Sequence, residues 1–303
     1  MALRGSETSP ELKQRLEQEL ARRLPPGAKL ERRIFDYYLS VFSWCLEQAR
    51  EIRAVRPGAV ILGVNGPQGA GKTTLTHCLV PLFSQIGWHA VSVSIDDFYL
   101  THAAQVELAA QYPTNSYLQQ RGYPGTHDVA LAAATIEELR ELGAGDVAAV
   151  PVYDKALHEG RGDRLPPAAW RQINGPVDIV LFEGWMLGFP PVDAARLGGD
   201  PALAVVNRLL AAYEPWRAAL DAMVQLRMAD VQFVVRWRVE AEAALRREGR
   251  GALSSAAARA YVEQFLPAYA VYPAALECHP PCPGRHLVIC LGEDRLPKAT
   301  RGE

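Results

Sequence analysis

Nine consecutive residues, Gly66-Pro67-Gln68-Gly69-Ala70-Gly71-Lys72-Thr73-Thr74, combine glycines with a lysine and two hydroxyls. Glycine has no Cβ, so successive backbone N–H groups can close around an anion. A helix starting at the lysine adds the positive end of its dipole. The spacing G-x-x-x-x-G-K-[ST], entered from the apolar run Ala59 to Val64, is that of a loop holding the phosphates of a nucleoside triphosphate. In this reading Gly66, Gln68, Gly69, Ala70 and Gly71 form the cradle and Lys72 reaches the β- and γ-phosphates. Thr73 then offers its hydroxyl to Mg²⁺ and Thr74 bonds an inner phosphate.

Two acidic positions fit phosphoryl transfer to an alcohol. The strand-like run Val91 to Ile95 enters Asp96-Asp97-Phe98-Tyr99, and Ile179 to Phe182 enters Glu183-Gly184-Trp185. Ligands of a parallel sheet bind beyond the carboxyl ends of its strands, so both acids are expected to face the glycine loop. Asp96 is the expected base, taking the proton of the attacking hydroxyl, while Glu183 is placed beside Mg²⁺. Capping of the following segment is the competing reading, strongest for Asp97. Pairing with a neighbouring arginine competes for Glu183. No Asn-Lys-x-Asp segment marks a guanine site, so adenine is expected and ATP is the donor.

The elements that must position these groups follow from periodicity. Apolar runs near 59–65, 90–95, 177–183, 230–235 and 286–291 alternate with helical patterns, which predicts an α/β fold around a parallel sheet. A helical lead from Glu11 to Val55, broken at Pro25-Pro26-Gly27, is expected to pack on that sheet through Leu16, Leu20, Ile34, Tyr38, Val41, Phe42 and Cys45. Tyr261, Phe265 and Tyr269, at i, i+4 spacing, read as a packing stripe. The chain has 303 residues and a formal charge of −2, without the basic excess of a nucleic-acid partner. Arg246, Arg247 and Arg250 are too local to change that. No apolar run reaches the roughly 20 residues that cross a bilayer, and Met1 to Glu7 hold no apolar leader segment, so a cytoplasmic enzyme is expected. Five cysteines give no disulfide framework. Cys278, His279, Cys282, His286 and Cys290 have the residue types of a zinc site, but Pro280-Pro281 and the strand-like run around Cys290 favour buried free cysteine.

Ser94 to Tyr99 and Val150-Pro151-Val152-Tyr153-Asp154-Lys155 resemble the corresponding segments of the phosphoribulokinase, uridine kinase and pantothenate kinase superfamily. Arg121-Gly122-Tyr123-Pro124-Gly125-Thr126-His127-Asp128, Gly160 to Arg164, Leu181 to Phe189 and Arg236-Trp237-Arg238 with Ala241-Glu242 resemble, more narrowly, the D-glycerate 3-kinase family. The resemblance runs from about Val60 to Leu291. It implies a P-loop NTPase three-layer sandwich, a five-stranded mostly parallel sheet covered by helices. It also implies an acceptor-binding insertion at about 97–174 and a lid at about 236–253. Residues 1–56 are then a helical extension and 57–303 the kinase domain.

The implied reaction is Mg²⁺-dependent transfer from ATP to the 3-hydroxyl of D-glycerate. A small anion needs cationic donors and hydrogen bonds, and Arg121, His127, Lys155, Arg161 and Arg164 supply them. Arg121 or Arg161 suits the carboxylate through its planar fork, with Asp128 and Tyr153 orienting hydroxyls and Asp97 and Tyr99 beside them. Arg238 and Arg246, two turns apart on the lid helix, are expected to meet the moving phosphoryl group. For each basic residue a surface ion pair is the alternative. A sibling kinase for a nucleoside, pantothenate or a sugar phosphate, and a nucleotide-gated binding protein without turnover, stay open. The expected partner is the small acceptor alone, with no nucleic acid or membrane. Oligomeric state is open, a monomer being sufficient.

Overall fold

The computed structural model describes residues 10–247 and 254–298. Five strands, Val60–Asn65, Ala90–Ser94, Ile179–Gly184, Ala222–Met228 and His286–Leu291, form one sheet in the order second, third, first, fourth, fifth. All four pairings are parallel. Register sets the site: Glu183 lies beside Val64 on one side and Ser94 on the other. The carboxyl ends of the first three strands are therefore level, and the chain order reverses at the first strand, where a doubly wound sheet opens a crevice.

Burial on both faces explains the continuous apolar strands. Ile61, Val180, Phe182 and Met223 join a cluster on one face with Val234, Phe265 and Tyr272. Val60, Leu62, Val64, Leu181 and Val224 join a second cluster on the other, with Leu75, Leu79 and Phe83 of the helix Lys72–Gln85. The N-terminal helices belong to this second cluster, through Leu16 and Leu20 of Pro10–Arg23 and Phe42 and Cys45 of Leu39–Arg53. The break at residues 25–27 lies between them. One π-helical turn, Arg33–Tyr38, precedes Leu39.

The fourth strand corrects the sequence reading. It is Ala222–Met228, while residues 232–235 open the helix Gln232–Arg247. Asp230 starts that helix by accepting a 2.8 Å hydrogen bond from the Gln232 N–H. Helical geometry then sends Phe233 and Trp237 to one cluster and Val234 and Val235 to the other, so these apolar residues are buried without entering the sheet. The true strand carries Gln225, fully buried, whose amide donates to the Pro273 carbonyl at 3.1 Å. A polar residue with an internal partner had disguised it.

Between the second and third strands the chain inserts helices and two short antiparallel ladders, Val147–Val150 with Arg171–Asn174 and Tyr153–Asp154 with Asp163–Arg164. Near the other end Cys278 is exposed, Cys282 is buried with its thiol on the Leu220 carbonyl, and Cys290 is half-buried. Among the described residues no group of three or more His, Cys, Asp or Glu is arranged to hold a metal. No helix among them is long and apolar enough to cross a membrane.

Candidate active site

The first strand ends in the glycine loop, and its helix begins at Lys72 with Gly71 as cap. Gly71 adopts φ +91°, a left-handed conformation that side chains resist. At Gly69 a Cβ would stand 2.7 Å from the Trp237 Cβ, so this glycine also lets the next helix close on the loop. Arg295 closes from the far side, donating to the Gly69 carbonyl at 2.8 Å. The Gln68 N–H donates to the Tyr269 hydroxyl at 3.1 Å.

A cleft of about 680 Å³ opens beside this loop, and Gln68, Lys72, Thr73, Asp96 and Glu183 all line it. Burial pushes the Lys72 ammonium down from its ordinary value, opposed by the charges of Glu183 and Asp96. The Thr73 hydroxyl donates to Glu183 Oε1 at 2.8 Å. A hydroxyl and a nearly buried carboxylate are hard oxygen donors of the kind Mg²⁺ takes, so the pair fits that ion. Bound there, Mg²⁺ would neutralise phosphate charge.

Asp96 follows the second strand on a 3-10 turn, Ile95–Phe98, held by a capping box between Ser94 and Asp97. Asp97 thus caps its own turn, and burial pushes its carboxyl up to about 6. Lys155, in the turn that follows the short strand Tyr153–Asp154 of the insertion, meets Asp96 Oδ2 at 2.5 Å. Burial works to raise the Asp96 carboxyl, but Lys155, by charge and hydrogen bond, with His127 and Lys72, brings it below the usual carboxylate range. The same contact raises the Lys155 ammonium. Gly184, next to Glu183, fixes this corner: a Cβ there would lie 2.5 Å from Cδ1 of fully buried Ile95. Gly184→Ala is expected to cost about 1–3 kcal/mol by overpacking and to lower kcat by shifting the turn that carries Asp96; urea unfolding and steady-state kinetics on one preparation check both.

The acceptor candidates separate. Arg121, Lys155 and Tyr99 line the cleft. Arg121 donates to the carbonyls of Gly160 and Arg161 and lies over the Tyr153 ring. Tyr153 points its hydroxyl to the Arg161 carbonyl, at 3.3 Å. Asp128 and Arg164 pair with each other at 3.0 Å, and Asp128 also caps the helix Val129–Glu141. Arg161 and Arg246 are not among the lining residues, and Arg246 donates to the Ser255 hydroxyl at 3.2 Å. Residues 248–253 of the expected lid lie outside the described residues.

His127 is buried behind this wall, stacked on Tyr99 with ring centroids 4.3 Å apart and bonded through Nδ1 to the Tyr213 hydroxyl at 3.0 Å. Burial pushes the imidazole down to about 3, against the opposing charge of Asp96. The unfolded chain, with His near pH 6.5, then binds more protons than the folded one across that window. His127 therefore favours folding fully above pH 6.5, and this contribution is lost as pH falls towards 3. Asp97, pushed up to about 6, has the opposite slope. The difference between the wild type and His127→Gln isolates the histidine. Between pH 6.5 and 4.5 the wild type is expected to lose about 2–3 kcal/mol more than the variant, read by urea midpoints at several pH values.

Sequence reasoning missed three groups here. Glu242, buried on the lid helix, pairs with Arg238 at 2.5 Å and lines the cleft. Its i, i+4 spacing from Arg238 was the available signal. Tyr261, expected to be packing, also lines the cleft, with Arg238 5.0 Å from its ring centroid. Phe265 and Tyr269 are buried as expected, and Tyr261 keeps an edge-to-face contact with Phe265, ring centroids 5.5 Å apart, while it reaches the cleft. The third is Arg295, which carries no motif.

The sequence profile of the Phosphoribulokinase / Uridine kinase family matches residues 61–193. A Schizosaccharomyces pombe protein described as the uncharacterized kinase mug58 is 36% identical over 78% of this chain and 89% of its own length. The chain belongs to the phosphoribulokinase and uridine kinase family. Within the family, its similarity to D-glycerate 3-kinases runs over most of its length. The chloroplastic D-glycerate 3-kinase of Arabidopsis thaliana is 39% identical over 88% of this chain, which spans 60% of that protein. A solved D-glycerate 3-kinase from Cryptococcus neoformans superposes with a TM-score of 0.79 at 28% identity, covering 86% of this chain and 97% of that one. The cleft at the reversal of strand order is therefore the candidate active site of a kinase-family chain.

Proposed function

We propose that this chain transfers the γ-phosphoryl group of ATP to the 3-hydroxyl of D-glycerate, giving 3-phosphoglycerate and ADP, with Mg²⁺. The observation that carries the reading is one cleft lined by Lys72, Thr73 and Glu183 on the phosphate side and by Asp96, Lys155 and Arg121 on the acceptor side. The named relatives support the substrate. The loop 66–74 holds the phosphates, Lys72 neutralises charge between the β- and γ-groups, and Thr73 with Glu183 would hold Mg²⁺. Asp96 accepts the hydroxyl proton as the oxygen bonds to phosphorus and the bridging oxygen leaves with ADP. Lys155 and Arg121 receive the acceptor carboxylate. Arg238, positioned by Glu242, meets developing charge as the lid helix closes and water is excluded. Residues 57–303 form the catalytic domain, with 1–56 as a packing extension.

The test is ADP release by purified protein with Mg-ATP and D-glycerate, run beside L-glycerate, uridine, pantothenate, ribulose 5-phosphate and no acceptor, with the product's phosphate position read by NMR. Release with D-glycerate and phosphate on carbon 3 is expected. Release with another acceptor alone overturns the substrate, and ATP binding without turnover overturns the enzyme.

A further inference from the structure

Four cations among the described residues line the cleft, and they differ in how they are held. Lys72 belongs to the phosphate loop, Arg121 is tied to the carbonyls of Gly160 and Arg161, and Arg238 is tied to buried Glu242. Lys155 alone of the four combines a well-exposed side chain, 56% accessible, with a contact to the candidate base. Its Nζ sits 2.5 Å from Asp96 Oδ2. An oxygen that accepts a charge-assisted hydrogen bond from an ammonium is a weaker proton acceptor and has one lone pair fewer to offer a hydroxyl. No other cation facing Asp96 hydrogen-bonds it. Lys72 and His127 act on it through charge, Asp97 is its neighbour in the turn, Tyr261 is neutral, and the Tyr99 hydroxyl hydrogen-bonds Asp96 as a neutral donor, with burial raising both tyrosine hydroxyls.

Resting on the acceptor being a carboxylic acid, we propose that Lys155 is a substrate-released clamp on Asp96: the acceptor's own carboxylate draws the ammonium off the aspartate and so frees the base for the hydroxyl it must deprotonate. The flexible four-carbon stem permits the exchange, and Arg121 beside it gives the arriving carboxylate a fixed second partner. Acceptors without a carboxylate cannot make the exchange. Water and neutral polyols therefore meet a weakened base, and the chain discriminates an acid from an alcohol at the reacting step as well as in binding. Lys155 is a positioning residue in this scheme. No bond to it forms or breaks; the hydroxyl proton goes to Asp96 and the phosphoryl group moves from ATP to the acceptor oxygen.

The test compares Lys155→Met and Lys155→Arg with the wild type in three reactions: D-glycerate turnover, glycerol turnover and ATP hydrolysis without acceptor. Lys155→Met is expected to lower kcat/KM for D-glycerate about tenfold or more. It should raise glycerol turnover and acceptor-free hydrolysis about tenfold, part of the roughly 10²–10⁴-fold that a positioned base contributes. Lys155→Arg keeps both side reactions low, and adding Asp96→Asn to Lys155→Met abolishes their rise. If Lys155→Met loses D-glycerate turnover while glycerol and water are unchanged or slower, Lys155 only binds the acceptor and the clamp is wrong. Unchanged ATP affinity and urea midpoint show that the variant is folded. A wild type inert towards D-glycerate overturns the substrate assignment, and the acceptor-free arm then decides the clamp by itself.

Discussion

Asp96→Asn is expected to lower kcat by roughly 10²–10⁴-fold, the contribution of a positioned general base, with ATP affinity nearly unchanged. The substitution keeps shape and removes the proton acceptor. Asp96 lines the cleft with Lys72 and Lys155 but belongs to the turn after the second strand and not to the phosphate loop. Folding survives because the capping box of that turn is built from Ser94 and Asp97. Isothermal titration with a non-hydrolysable ATP analogue beside steady-state kinetics separates the two effects. Turnover near the wild-type rate would remove Asp96 from the mechanism.

Lys72→Ala should act on both quantities. Losing a charged donor aimed at the transferring group typically lowers kcat about 10²–10³-fold, and here ATP affinity also falls because Lys72 contacts the bound state. The ammonium lies among Glu183, Asp96 and the loop carbonyl of Pro67, which it reaches at 3.3 Å. Removing it leaves the carboxylates of Glu183 and Asp96 without the cation between them and the phosphates. The paired readout distinguishes the residues: weaker nucleotide binding with Lys72→Ala, unchanged binding with Asp96→Asn. Equal nucleotide affinity in the two variants would contradict the assignment of Lys72 to the phosphates.

Much of the cleft was legible before any coordinates, and the reasons are local. A glycine loop is written in consecutive residues because its conformation depends on the absence of side chains at fixed offsets. Asp96 and Glu183 were visible because an acid ending an apolar run is an acid at a strand's carboxyl end, and parallel sheets gather such ends on one edge. The same logic failed at the fourth strand. Gln225 is buried and bonded within the core, whereas residues 232–235 wind into a helix whose two faces meet two different clusters. An apolar run of five residues satisfies either geometry, and packing chose.

Among the basic residues of the insertion, the inventory could be read but the assignments could not. Arg164 pairs with Asp128, Arg121 turns to backbone carbonyls, and Lys155 reaches an aspartate 59 positions earlier in the chain. Tyr261 and Glu242 enter the cleft only because two helices separated by residues 248–253 pack across it.

The sequence alone determined the nucleotide loop, the acidic strand ends, the layered α/β class and the resemblance to a kinase family, because each depends on residue order over a few turns or strands. Only the tertiary structure decided which cation meets which carboxylate. Those pairings form between segments far apart in the chain, and their few ångströms are set by the packing of whole elements, to which no local pattern is sensitive.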